Sequence, residues 1–256
     1  MIRPLLKMTY IELKLFVREP LAVIFAFAFP FFVLFVLAGV FGNEEPVDSE
    51  DFEIWRGVGP TDYYVPAYVG LVMASVGLIS LPLRLAGYRE RGVLKRFHAA
   101  GTPLGVLLGA HVAVFFVMSG IGGVAIAVAG RIVYGSPLPT GLAGQLTQVL
   151  GAFGLSGLAF AAIGVMLGAV LRTARAAQGA GLALFFVMMF ICGAGPPRGV
   201  LTDAMYAVSN ALPLTHVILV IQGPWLGLGW DWPASAIVVA FLVVTGALGV
   251  RFFRWE

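Results

Sequence analysis

The sequence predicts an all-α, polytopic membrane protein with six transmembrane helices, an N-terminal interfacial amphipathic helix and an outer re-entrant segment between spans 5 and 6. Three observations carry this expectation. Of 256 residues, 60% are hydrophobic and 11% charged, where a soluble domain carries about 25% charged residues. The apolar residues fall into runs near the length a bilayer needs, about 20 residues at about 1.5 Å each. The Lys and Arg residues lie between those runs, mostly on one side of them. The chain, 1–256, reads as a single transmembrane domain.

The runs cover residues 21–41, 63–83, 104–129, 142–171, 176–194 and 234–250. The fourth is longer than a span needs, so it is expected to tilt or to project beyond the lipid. A further apolar stretch, Val200 to Leu228, is interrupted by Pro213, Gly223 and Pro224 and is expected not to cross.

Direction follows from the basic residues. Thirteen of the 16 fall on one side of a six-span chain. Arg56, Arg131 and Arg198 fall on the other. Cytoplasmic loops carry the excess of Lys and Arg, so both termini are expected in the cytoplasm of a plasma-membrane protein. The net charge of +3 is spread over loops rather than gathered on a face, so no nucleic-acid partner is expected. No cleavable signal is expected either: the run after the basic start is too long, and no small-residue cleavage site follows it.

The remaining reactive groups are few. Cys192, the single cysteine, makes no internal disulfide and reads as apolar filler. The first outer loop holds Glu44, Glu45, Asp48, Glu50, Asp51, Glu53 and Asp62. It lacks the ligand pattern and central glycine of an EF-hand, so a solvated acidic loop and no metal are expected. Gly164 with Gly168, and Gly105 with Gly109, are GxxxG pairs. Gly151, Gly154 and Gly157 add small residues to the fourth run. Small residues let helices approach closely in lipid, where no hydrophobic effect drives association.

The segment before the first run is a separate element. At about 100° per residue, Arg3, Lys7, Lys14 and Arg18 fall within about 60° of arc. Ile2, Leu5, Leu6, Leu13 and Phe16 lie mostly away from that stripe, and Pro20 separates the helix, residues 1–20, from the first run. A helix with a cationic face lies in the headgroup plane. After the second run comes a compact charged loop, Tyr88 to Pro103, in which Glu90 to Lys95 is expected to form one or two helical turns.

This second region, Tyr64 to Pro103, resembles the second span and following loop of type-2 ABC exporter permeases. The family pattern of Glu, Gly, Arg and Pro is met by Glu90, Gly92, Arg96 and Pro103. Cys192 to Gly223 resembles the family's outer segment, two re-entrant half-helices with a break between them. Pro196, Pro197, Leu212, Pro213, Leu214 and Thr215 fit that pattern; the family's further proline near Asp203 to Met205 is absent. The likeness extends over nearly the whole chain.

The resemblance implies a transport subunit rather than an enzyme. Lys7, Lys14 and Lys95 are the only lysines, and none sits in a Walker A phosphate loop. The chain is therefore expected to bind no cofactor, with ATP and Mg held by a separate ATPase subunit, two copies of which serve two permeases, identical or related. Arg89, Glu90, Arg91, Gly92, Lys95, Arg96 and Phe97 would contact the ATPase. Pro196, Pro197, Pro213 and Thr215 would form an outer gate. The substrate implied is hydrophobic or amphipathic: a drug, an antibiotic or a lipid-like molecule.

Two other classes compete. Gly154-Leu155-Ser156-Gly157 and Trp55-Arg56 resemble features of rhomboid intramembrane serine proteases, which also have six spans. A serine nucleophile needs a histidine base, and the sixth run has none. An ion-coupled secondary transporter places ionisable groups inside its spans. The six runs hold no Asp or Glu in their interiors, and His111, near a span end, is expected to be packed. Phe25, Phe27, Phe29, Phe31, Phe32, Phe35, Met188 and Met189 suit an apolar pathway and a lipid-facing surface equally well.

Overall fold

Every apolar run becomes a helix, and two of the six helices extend several residues past the run that predicts them. The computed structural model describes residues 2–42, 49–139 and 143–255. Glu44, Glu45 and Asp48, and the side chains of Glu50 and Asp51, lie outside the described residues. In chain order the helices are α1 (Ile2–Val17), α2 (Pro20–Phe41), α3 (Ser49–Ile54), α4 (Pro60–Glu90), α5 (Val93–Ala99), α6 (Leu104–Tyr134), α7 (Ala143–Val170), α8 (Ala174–Ile191), α9 (Asp203–Asn210), α10 (Pro213–Trp225) and α11 (Trp232–Phe252). Six are long and apolar enough to span: α2, α4, α6, α7, α8 and α11. The stretch after α8 is broken, with α9 and α10 meeting at 81°.

Prolines shape two spans. α2 widens to a π-turn at Ile24–Ala28 and α4 at Val76–Ser80. Each turn is followed two residues later by a proline, Pro30 or Pro82. A proline ring clashes with the carbonyl four residues back and offers it no amide proton, and a π-turn relieves the clash. Those carbonyls belong to Ala26 and Leu78, and each faces a glycine on another span, Gly122 on α6 and Gly181 on α8. A Cβ at Gly122 would stand 3.3 Å from the Ala26 carbonyl, and one at Gly181 would collide with that of Leu78.

α4 is the centre of the bundle. Of its most apolar window, 89% is buried, against 28% for each of α2, α8 and α11. Glycines from its neighbours bring the helices against it. Gly164 faces the Gly77 carbonyl and Leu81, and Gly168 faces Leu85 and Pro82. The first GxxxG pair is thus the α7 face toward α4. The second does not act so: among the described residues a Cβ at Gly109 would meet Leu5 of α1, and one at Gly105 would meet nothing within 4 Å. Gly157 receives Phe115 and Phe116 of α6, and Gly151 faces Trp230. In lipid, such packing and the backbone contacts it permits hold helices together.

Cys192 is fully buried, as an apolar filler would be. Asp231 caps α11 by accepting from the Ala234 amide at 2.9 Å, and Thr173 caps α8 by accepting from Ala176 at 3.2 Å.

Candidate functional site

Both chain termini reach the same end of the bundle, where a second small core joins four segments. Leu5 and Met8 of α1, Tyr88 of α4, Leu94 and Phe97 of α5, and Val106, Leu107 and Ala110 of α6 pack together, with Phe253 and Trp255 of the C-terminal tail against them. The His98 ring lies 4.9 Å from that of Trp255.

The charged loop folds differently from its sequence expectation. Glu90 to Lys95 is not one helical segment: α4 runs on through Glu90, Gly92 takes a left-handed conformation at φ 68°, and α5 begins at Val93. Only glycine adopts that conformation freely, so the chain breaks there. In α5, Leu94 is buried, Phe97 is half-buried against the small core, and Lys95, Arg96 and His98 are exposed.

The seven residues expected to contact an ATPase therefore divide. Arg89 turns inward: its Nη1 donates to the carbonyls of Gly168 at 2.9 Å and Leu171 at 3.0 Å, capping the end of α7. Glu90 accepts the Ala174 amide at 2.9 Å, capping the start of α8. A cation at a helix C-terminus and an anion at an N-terminus both oppose the helix dipole. Two adjacent residues of α4 thus hold the turn between α7 and α8. Arg91 folds back on the Gly87 carbonyl at 3.1 Å. Lys95 and Arg96 stand outward on α5, while Arg91, also exposed, is tied to its own helix.

α1 has three faces rather than two. Arg3, Lys7, Lys14 and Arg18 form the exposed basic stripe. Leu6, Tyr10 and Val17 form an exposed apolar flank beside it. Met8, Glu12 and Phe16, one turn apart, are buried. A carboxylate inside an apolar stripe needs partners, and Glu12 has them. It accepts from the Tyr88 hydroxyl at 2.6 Å and lies 3.7 Å from Arg84 and 3.8 Å from His111. The other ring nitrogen of His111 is 2.9 Å from the Leu107 carbonyl. A helix outside the spans thereby brings an acidic group into them, and sequence reasoning missed it. The one signal for it was the i, i+4, i+8 spacing of Met8, Glu12 and Phe16.

At the opposite end, polar side chains stitch the broken segment. Thr215 donates to the Ser209 carbonyl at 2.6 Å, and His216 Nε2 lies 2.8 Å from the Asn210 carbonyl. The first turn of α10 thus caps the end of α9, which forms two regular turns without the absent proline. Pro213 stands at the first position of α10, where its missing N–H costs nothing. Pro196 and Pro197 follow Gly195, whose carbonyl accepts from the Tyr64 hydroxyl at 2.7 Å. Arg56 donates to Gln222 at 3.0 Å, and Gln222 donates to the Tyr63 carbonyl at 2.9 Å. Burial lowers the Arg56 guanidinium from its ordinary value.

Ser156 is fully buried, and its hydroxyl has no hydrogen-bond partner among the described residues. The histidines are engaged elsewhere: His111 by Glu12 and Leu107, His216 by Asn210, His98 against Trp255. No cluster of His, Cys, Asp and Glu among the described residues suits a metal.

A search of curated proteins finds no match to this chain. A family model described as ABC-2 type transporter matches residues 5–225. That match takes in α1, the first five spans and the broken segment through α10. The chain belongs to the ABC-2 type transporter family, as a multi-pass permease subunit of an ABC transporter.

Proposed function

We propose that this chain is the permease of an ATP-driven exporter that moves a hydrophobic or amphipathic substrate, such as a drug, an antibiotic or a lipid-like molecule, out of the cytoplasm. Family membership supports an ABC ATPase as partner. In this reading two ATPase copies, holding ATP and Mg, serve two permeases. Both termini and α5 face the cytoplasm, in keeping with the thirteen basic residues on that side.

The observation that carries the reading is the mechanical connection of α5. Its outer surface offers Lys95 and Arg96, while its inner surface, Leu94 and Phe97, shares a core with α1, α4 and α6. A push on α5 therefore reaches α4, the most buried span. Two packed arrangements of such a bundle would give alternating access. α1 lies at the headgroups, its basic stripe toward phosphates and its Leu6, Tyr10 and Val17 flank toward lipid. α9 and α10 form a re-entrant plug, its break held by the contacts of Thr215 and His216 with the Ser209 and Asn210 carbonyls. Pro196, Pro197, Pro213 and Thr215 shape that outer gate.

Reconstitution of the complex with its ATPase tests this. K95E/R96E is expected to reduce substrate-stimulated ATP hydrolysis severalfold while the permease still folds. Unchanged coupling would remove α5 as the docking element, and purification without any ATPase partner would count against the exporter reading itself.

A further inference from the structure

Three arginines far apart in sequence meet at the end of the bundle that holds α5. Arg89 of α4, Arg172 from the turn after α7, and Arg254 of the C-terminal tail line a cavity of about 610 Å³. The other lining residues are apolar: Ala169 and Val170 of α7 and Phe252 of α11. Val170 and Phe252 are exposed at 54% and 45%, so the apolar wall of the cavity is uncovered in the single chain.

The charges here are not balanced. Arg89 is occupied with the carbonyls that end α7, and its Nε and Nη2 also reach the Arg254 carbonyl at 3.4 Å. Arg172 and Arg254 are exposed, and among the described residues no carboxylate lines the cavity and neither arginine forms an ion pair. Two exposed guanidiniums with no carboxylate partner among the described residues, beside an apolar wall, suit a molecule with an anionic head and an apolar tail. Guanidinium forks match phosphate oxygens in pairs, and basic pockets between spans hold anionic headgroups. The volume lies within the range of small-molecule sites, about 300–1,000 Å³. Lys95 and Arg96 on α5 do not line this cavity, which separates a docking surface from a lipid site.

We propose that this cavity binds an anionic membrane phospholipid, its phosphate on Arg172 and Arg254 and an acyl chain along Ala169, Val170 and Phe252. The full chain in phosphatidylcholine nanodiscs, with phosphatidylglycerol added stepwise, tests this. Bound lipid is read by native mass spectrometry and protection by the melting midpoint. The wild type is expected to prefer phosphatidylglycerol by about tenfold or more. R172Q/R254Q should lose most of that preference, whereas K95Q/R96Q, with the same change in net charge at the same end, should keep it. R172K/R254K retains the charge and should retain much of the binding, which separates loss of ligand from misfolding.

Three outcomes would overturn the proposal. One is an undiminished preference in R172Q/R254Q. Another is equal protection by inorganic phosphate or glycerol phosphate, which would make this a free-anion site. The third is loss of ATPase co-purification in R172Q/R254Q with lipid preference intact, which would make the patch a protein-docking surface.

Discussion

Tyr88 donates its hydroxyl proton to Glu12 across 2.6 Å, joining the N-terminal helix to the most buried span. Arg84 and His111 stand at 3.7 and 3.8 Å from the same carboxylate. α1 is therefore keyed to α4 by charge and to α6 by the His111 contact, as well as by the burial of Met8 and Phe16. Removing one member of a buried charge group costs about 3–5 kcal/mol, because the partner is left uncompensated. Glu12→Ala should approach that cost, and Tyr88→Phe should cost less, about 1.5–3 kcal/mol for a hydrogen bond to a charged group. Melting midpoints in one detergent would rank them. A Glu12→Ala protein as stable as the wild type would show that α1 is held by apolar contacts alone.

Arg89 and Glu90 lead to a second expectation, because they cap two different helices from adjacent positions. Glu90→Ala should cost about 1 kcal/mol, as loss of a helix N-cap does. Glu90→Gln keeps an acceptor for the Ala174 amide and should cost less. Both bonds of Arg89 to α7 leave one nitrogen, Nη1, and a lysine ammonium also carries several donors, so Arg89→Lys should retain part of the cap and cost less than Arg89→Ala. Amide hydrogen exchange at Ala174 and in the last turn of α7 reads each cap separately. Unaltered exchange at Ala174 in Glu90→Ala would mean that the cap contributes nothing.

Helix packing gives a contrast within one residue type. A Cβ at Gly181 would strike the Leu78 carbonyl, and one at Gly164 the Gly77 carbonyl. Backbone cannot move aside as a flexible side chain can, so Gly181→Ala and Gly164→Ala should each destabilise by about 1–3 kcal/mol or lower the folded yield. A methyl group added at Gly105 or Gly179 would have nothing within 4 Å, and alanine there should be neutral or slightly stabilising. Size-exclusion profiles of the four variants check the pattern, and equal behaviour of all four would refute it.

How far the sequence carries depends on which property each element expresses. The six spans were legible because length and apolarity are local, and lipid accepts any helix that satisfies its own backbone. Their ends were not: α6 continues through Tyr134, where an aromatic and an arginine suit the membrane boundary. The centrality of α4 was hidden too, since a span facing lipid and a span facing protein are equally apolar. Gly164 and Gly168 carry a true packing signal, while Gly105 and Gly109 show the same motif without the contact. At the candidate site, charge alone suggests exposure. That holds for Lys95 and Arg96 and fails for Arg89 and Glu12, whose partners lie 79 and 76 residues away in sequence.

Ser156 separates the transport reading from the hydrolase reading by the sign of one substitution. Its hydroxyl is buried and has no partner among the described residues. Burying an unpaired hydroxyl costs about 1–3 kcal/mol. Ser156→Ala removes that group at almost constant volume, so it should leave stability unchanged or raise it slightly. Transport by the reconstituted complex should be unaffected as well. A nucleophile gives the opposite result, since cleavage of a model transmembrane substrate would be present in the wild type and absent in Ser156→Ala. Gly157 supplies the structural comparison. Its Cβ would meet the Phe116 ring at 2.6 Å, so Gly157→Ala should disturb the α6–α7 crossing where Ser156→Ala does not. A GxSG motif acting in packing predicts that order, glycine sensitive and serine tolerant, and a catalytic one predicts that serine is the residue that cannot be replaced.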